Sequence, residues 1–172
     1  ARSGMFGSVL AVDGRSYSFA DAVLAGWAED GGMMWPKSVP RISRDALRAM
    51  SSLSYPELCA SILKLFVRAE DAADLTHSDV DDIVLNAFPA FGGRVVVHLA
   101  EIAPSSHVAE LWHGPTLAFK DLGMVVLART LSHLLTKRRQ RLTLLVGTSG
   151  DTGSSAIEAV RGLPNVQIVV LY

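Results

Sequence analysis

Apolar positions in the first half of the chain recur at three- and four-residue spacing, the period of helices with one buried face. Ser18-Phe19-Ala20-Asp21 opens the first such run, with Ser18 as N-cap, Asp21 three places on, and Phe19, Ala22, Val23 and Gly26 along one side. Asp30-Gly31-Gly32 closes it, and Pro36 and Pro40 keep the chain extended until Ser43 begins a second helix. Ser54-Tyr55-Pro56-Glu57 is a stronger start: a serine cap, proline in the first turn and glutamate at N3, followed by Leu58, Ile62, Leu65 and Phe66 on one face. A further helix is expected to open with Ser78 and Asp81 and to bury Val80, Ile83, Val84, Ala87 and Phe88. The Asp79-Asp81-Asp82 cluster complements that helix's N-terminus; without evenly spaced oxygen ligands or a loop glycine it does not read as a calcium site.

The period changes at Gly92-Gly93. Arg94 to Leu99 is rich in valine and reads as a strand, Val108 to Trp112 as another, and Ala118 to Thr136 as a long, largely apolar helix. Leu142 to Val146 reads as a buried strand, Ser154 to Val160 as a helix closed by Gly162 and Pro164, and Val166 to Leu171 as a second buried strand. Alternating strands and helices predict an α/β protein: an N-terminal, mainly helical unit over residues 1–92, then the start of a parallel sheet wrapped by helices over residues 93–172. Lys137, Arg138, Arg139 and Arg141 fall where the long helix ends and complement its negative end.

Composition narrows the partners. Sixteen basic and 17 acidic side chains leave a net charge of −1, so no global field favours nucleic acid or an anionic membrane surface, and a small molecule is the expected partner. No apolar run approaches the roughly 20 residues of a membrane span, which predicts a soluble protein of the cytoplasm. Met5 to Val12 is apolar and follows Arg2, but it lacks a clear small-residue cleavage site and makes a poor secretory signal. Cys59 is the only cysteine, so neither an internal disulfide nor a thiolate metal cluster is expected; its helical setting predicts packing rather than reactivity. The chain begins at Ala1 and stops at Tyr172 within an apolar run, which reads as a piece of something longer.

Two segments carry chemistry: Glu110 to Asp121, ELWHGPTLAFKD, and Gly147 to Ser155, GTSGDTGSS. Both lie where a strand gives way to a helix, the edge of an open parallel sheet at which ligands bind. In the second, Gly147, Gly150 and Gly153 permit tight turns and close approach, and Thr148, Ser149 and Thr152 add hydroxyls, so the loop is shaped for an anion. It is not a nucleotide P-loop, because Ser154 stands where the lysine would follow, nor a hydrolase nucleophile elbow, because Asp151 stands where GxSxG requires glycine. An ordinary helix cap at Thr152 or Ser154 is the structural alternative. In the first segment Gly114-Pro115 forces a turn, and Lys120 lands near a helix start among Leu117, Ala118, Phe119 and Leu122, surroundings that favour a nucleophilic amine. The alternative there is a surface lysine paired with Asp121.

HGPTLAFKD followed about thirty residues later by TSGDTG resembles the threonine synthases, which are fold-type II pyridoxal-phosphate enzymes. The resemblance extends to SFADAVLAGWAEDGG and LSYPELCASILKLF, and the wording of LSYPELC and VGTSGDTGSSAIEAV is similar to the threonine synthase-like branch. It implies pyridoxal 5'-phosphate as cofactor, with Lys120 forming the internal Schiff base and then shuttling protons. It implies that Ser149, Gly150, Asp151, Thr152 and Gly153, with Thr148 beside them, face the cofactor's O3′ side and grip the substrate carboxylate; Asp151 stands where many relatives carry asparagine. His113 and Thr116 lie in the lysine motif, where packing of the turn is at least as good an account, and Phe119 is expected in the core. The implied substrate is O-phosphohomoserine or a related phosphorylated amino acid. Loss of its γ-phosphate would be followed by water addition to give threonine, or by release of 2-oxobutyrate and ammonia. The family's glycine-rich phosphate cup, the residue facing the pyridine nitrogen and its early STRG-like segment find no counterpart here. The competing expectation is therefore a truncated, catalytically inactive product that acts by binding a protein.

Overall fold

The computed structural model describes residues 5–10, 14–68 and 71–172. The chain divides into two compact units, Ala1–Asp82 and Ile83–Tyr172.

In the first unit, strand β1 (Phe6–Ser8) pairs antiparallel with β2 (Met34–Pro36), Gly7 opposite Trp35. The apolar run from Met5 thus begins as a strand, while its end at Val12 lies outside the described residues. Between these strands helix α1 (Phe19–Ala25) starts as expected at Ser18, whose hydroxyl accepts the Asp21 N–H at 3.0 Å. Helix α2 (Arg44–Met50) is capped in the same way, Ser43 accepting the Ala46 N–H at 3.1 Å. Helix α3 (Tyr55–Lys64) follows Ser54, whose backbone N–H and hydroxyl both donate to Glu57 Oε2 at 2.7 Å.

Helix α4 (His77–Ala87) begins one residue before the expected Ser78 cap. The reason is local: Thr76 supplies the cap, donating through its N–H (2.8 Å) and hydroxyl (2.7 Å) to Asp79 while accepting the Asp79 N–H at 3.1 Å. Asp81, expected to share in that start, instead pairs with Lys64. Cys59 is half-buried, and burial raises its thiol pKa, so it stays protonated and packs.

The second unit departs from the expected uniform parallel order. Arg94 to Val97 is not strand: the Arg94 N–H and side chain both bond the Phe91 carbonyl, which holds the chain in the turn after a short 3-10 segment. Strand β3 (His98–Ala103) then pairs antiparallel with β4 (Ser106–Glu110). Only Pro104 and Ser105 join them, far too few for a parallel crossover, and Ser105 takes φ 62, the left-handed turn position after proline.

Helix α5 (Asp121–Lys137), strand β5 (Leu142–Gly147), helix α6 (Asp151–Val160) and strand β6 (Val166–Leu171) form the βαβ part, with β5 and β6 parallel and Leu142 opposite Val166. Both strands were expected to be buried, yet they alternate: Leu145 is 70% exposed and Val169 48% exposed, because α5 and α6 cover one face only. On the covered face Met124, Leu127, Ala128 and Leu131 of α5 meet Leu144 of β5 and Ala156, Ala159 and Val160 of α6. Helix α5 ends in a Schellman motif, the Gln140 N–H reaching Leu135 O at 2.8 Å and the Arg139 N–H reaching Thr136 O at 3.1 Å, with Arg139 at φ 53. No helix among the described residues is long and apolar enough to cross a membrane.

The bonds from Ser54, the hydroxyl's first, lower the Glu57 pKa, so the native state holds this carboxylate charged more firmly than the unfolded chain does. Its contribution to α3 is present above pH 4.5 and is lost as the pH falls through the lowered native value. Glu57→Gln should flatten that acid dependence, measured as amide exchange in the first turn of α3 against pH; an unchanged acid profile would refute this account of the cap.

Candidate functional site

The two chemistry-bearing segments meet within the second unit. Lys120, Thr148, Ser149, Gly150, Asp151 and Thr152 line one cavity of ≈ 330 Å³. That lies at the lower end of the ~300–1,000 Å³ typical of small-molecule sites.

Lys120 is placed by its loop. Its carbonyl accepts the Met124 N–H at 2.9 Å, which makes it the N-cap residue of α5; the helix starts at Asp121, not at Ala118. Ala118 to Lys120 form the turn before it. Leu117, three residues ahead of the amine, sits at φ 61, a strained conformation for a residue with a Cβ, although its side chain is 64% exposed. Phe119 is not in the core: it is 59% exposed, and Lys120 Nζ lies 4.6 Å from its ring centroid, a cation–π contact. The turn leaves only Ala118 of these neighbours buried, which is why an apolar run that reads as helix core carries its phenylalanine outward.

The opposite wall is the turn between β5 and α6. The Thr148 N–H extends the β6 ladder, reaching Leu171 O at 3.0 Å, so the loop leaves the sheet at the carboxyl edge. Thr148 Oγ1 then accepts the N–H groups of Gly150 and Gly153, both at 3.2 Å, folding the loop back on itself. Gly150 is the N-cap of α6, which therefore begins at Asp151, three residues before the expected Ser154. Ser149 and Asp151 are exposed at the cavity, and Asp151 is in the first turn of α6, where a carboxylate is favoured by the helix dipole. Gly153 does not line the cavity. It is buried, and a Cβ there would collide with Thr148 Cγ2 and lie 3.3 Å from Val170 Cγ1, so its part is close packing beneath the loop.

Asp121 is not the surface partner of Lys120. It is 1% exposed and turned to Thr116, whose N–H donates to Oδ2 at 2.8 Å and whose hydroxyl donates to Oδ1 at 2.6 Å. Thr116 Oγ1 also lies 3.0 Å from Ser155 Oγ on α6, itself 1% exposed. His113 Nε2 lies 2.9 Å from Glu110 Oε2; neither it nor Thr116 lines the cavity. From sequence Asp121 reads only as a surface partner for Lys120, and Ser155 is not singled out. The available signal was register: Asp121 stands four and seven residues before Val125 and Ala128, on the buried face of α5.

A larger cavity, ≈ 530 Å³, lies in the first unit between Gly7, Ser8, Val9, Gly14, Arg15, Trp35 and Lys37. Its cations are engaged, Arg15 with Glu29 and Lys37 with Ser16, and among the described residues no glycine-rich turn at a helix start lines it. The smaller cavity is the one that the two chemistry-bearing segments share.

The family model for the threonine synthase N terminus matches residues 12–88. The chain is 42% identical over 154 residues to mouse threonine synthase-like 2, covering 90% of this chain and 31% of that protein. It superposes on yeast threonine synthase with a TM-score of 0.89 at 28% identity, covering 99% of this chain and 35% of that one. With the pyridoxal-phosphate-bound threonine synthase of Brucella melitensis the TM-score is 0.81 at 38% identity, covering 88% and 32%. The chain thus spans about a third of the length of the curated relatives it matches.

Gly153→Ala should destabilise the second unit by about 1–3 kcal/mol through overpacking against Thr148. Urea unfolding measures this; wild-type stability in the variant would show that the loop does not need the bare glycine.

Proposed function

Because this chain corresponds in sequence and fold to the N-terminal region of the threonine synthases, sharing their fold-type II architecture there, we propose that it contributes the amine-bearing half of a pyridoxal-phosphate site acting on O-phosphohomoserine or a related phosphorylated amino acid. The observation that carries this reading is the shared cavity: Lys120 on one wall and the 148–152 turn on the other.

The lining residues fit the group. Lys120 is the one lysine at the cavity and would hold the cofactor's carbonyl carbon. Asp151 would stand at its O3′ side, while Thr148, Ser149, Gly150 and Thr152 would receive the substrate carboxylate, with Gly153 supporting them from below. Pyridoxal phosphate, when bound, supplies a carbonyl for amine condensation and a sink for the charge left at Cα.

The residues of this chain do the rest. Lys120, its amine freed when the substrate's amine takes its place at the carbonyl carbon, would take the Cα proton and return protons further along the side chain. The hydroxyls and N–H groups of the 148–152 turn fix the substrate carboxylate, so that the Cα–H bond is presented to that amine. Loss of inorganic phosphate from Cγ and addition of water at Cβ yields threonine. Hydrolytic release without that addition yields 2-oxobutyrate and ammonia.

A second reading, binding of a protein partner without catalysis, has one observation in its favour: the uncovered sheet face bearing Leu145, Val169 and Leu171, the last 57% exposed. One experiment separates the two. After incubation with pyridoxal phosphate and reduction with borohydride, the adduct should map to Lys120 rather than to Lys37, Lys64 or Lys137, and Lys120→Ala should abolish it together with phosphate release from O-phosphohomoserine. Equal labelling of all four lysines, unchanged by Lys120→Ala, would refute the enzyme reading.

A further inference from the structure

We infer that Asp121, Thr116 and Ser155, with Asp121 and Ser155 buried and Thr116 half-buried between them, form a positioning clamp that sets Lys120 against the 148–152 turn. This deepens the functional reading above and rests on it for the meaning of that placement, though not for the clamp itself.

The directions of the hydrogen bonds follow from the inventory of protons. A carboxylate only accepts, and a threonine hydroxyl has a single proton. That proton goes to Asp121 Oδ1 at 2.6 Å, the shorter of the hydroxyl's two contacts. Ser155 Oγ, 3.0 Å away, must therefore be the donor to Thr116 Oγ1. The result is a one-way chain from Ser155 through Thr116 to Asp121, joined by the Thr116 N–H at Oδ2. Asp121 and Ser155 are each 1% exposed, so water does not compete for these partners.

The chain links the two cavity walls. Thr116 and Asp121 bracket the loop that ends in Lys120, and two bonds to one carboxylate close that loop over five residues. Ser155 lies one helical turn beyond Asp151, at the start of α6, so its hydroxyl ties the same loop to the element that presents the 148–152 turn. Leu117 holds its left-handed conformation while 64% exposed, so burial of its own side chain does not fix it. Gly114 completes the seat: a Cβ there would collide with the Asp121 carboxylate. None of the three clamp residues lines the cavity, so they act through Lys120.

Ser155→Ala removes the tie to α6 and leaves the Thr116–Asp121 bonds in place, Thr116→Val removes the hydroxyl link, and Thr116→Ser keeps it. Two measurements on this chain decide the matter. In the first, without cofactor, Ser155→Ala should speed amide exchange at Thr116 and across 148–153 by about tenfold, the loss of one net hydrogen bond, with global unfolding shifted by no more than that one bond accounts for. In the second, borohydride capture of pyridoxal phosphate should shift away from Lys120 toward Lys37, Lys64 and Lys137 in Ser155→Ala and Thr116→Val, and stay on Lys120 in Thr116→Ser. Wild-type exchange and wild-type labelling in Ser155→Ala would overturn the clamp. If the unsubstituted chain shows no preference for Lys120, the pyridoxal-phosphate reading fails, and the exchange measurement alone decides whether the clamp exists.

Discussion

Parallel strands cannot be joined by a turn, and that constraint arranges everything of chemical interest in this chain. To bring β6 alongside β5 the backbone must leave the sheet at Gly147, cross through α6 and return, so a loop and a helix N-terminus are obliged to sit together at the carboxyl edge. Thr148 then settles the shape of that loop by accepting two of its N–H groups. The amine arrives by a separate route, on the turn that opens α5, and the packing of α5 beside α6 on one sheet face brings the two together. Neither loop has a cavity alone; the cavity comes from two helix starts sharing an edge.

Much of the local structure was legible because its determinants are local. Ser18, Ser43 and Ser54 cap helices where the sequence places them, since a hydroxyl one turn from an unpaired N–H needs no tertiary help. The cap of α4 lies two residues before the expected Ser78 because Thr76 and Asp79 offer a better reciprocal pair than Ser78 and Asp81. The hairpin β3–β4 was harder. Valines at 95 to 97 advertise strand, but the Arg94 bonds to Phe91 O commit that stretch to a turn, and the decisive feature is the two-residue Pro104-Ser105 link.

At the site, the lysine and the glycine-rich turn could be read from their residue types and order, and their shared cavity follows from the topology. What could not be read was which way each neighbour points. Phe119 looks like core in a run of apolar residues, yet the helix begins after it and the turn carries its ring outward, under the amine. Asp121 offers an obvious charge partner next door, so the pairing with Lys120 is the natural reading. The helix register overrules it, because a first-turn residue aligned with Val125 and Ala128 faces inward.

That inward carboxylate also explains why polar contacts, not apolar burial, hold this loop. A loop that must leave one side open to a ligand cannot bury its large side chains, and Leu117 and Phe119 are indeed mostly exposed. Its conformation must therefore be specified from beneath, by groups that are few, directional and shielded. A buried carboxylate is costly unless its oxygens are satisfied, and here one threonine supplies both an N–H and a hydroxyl to it, bonds that only one loop geometry allows. The same cost that makes Asp121 a poor contributor to bulk stability makes it selective: any other arrangement of the turn would strand its charge. Shape at the amine is thus enforced by the penalty attached to the alternatives, while the surface above it stays free for chemistry.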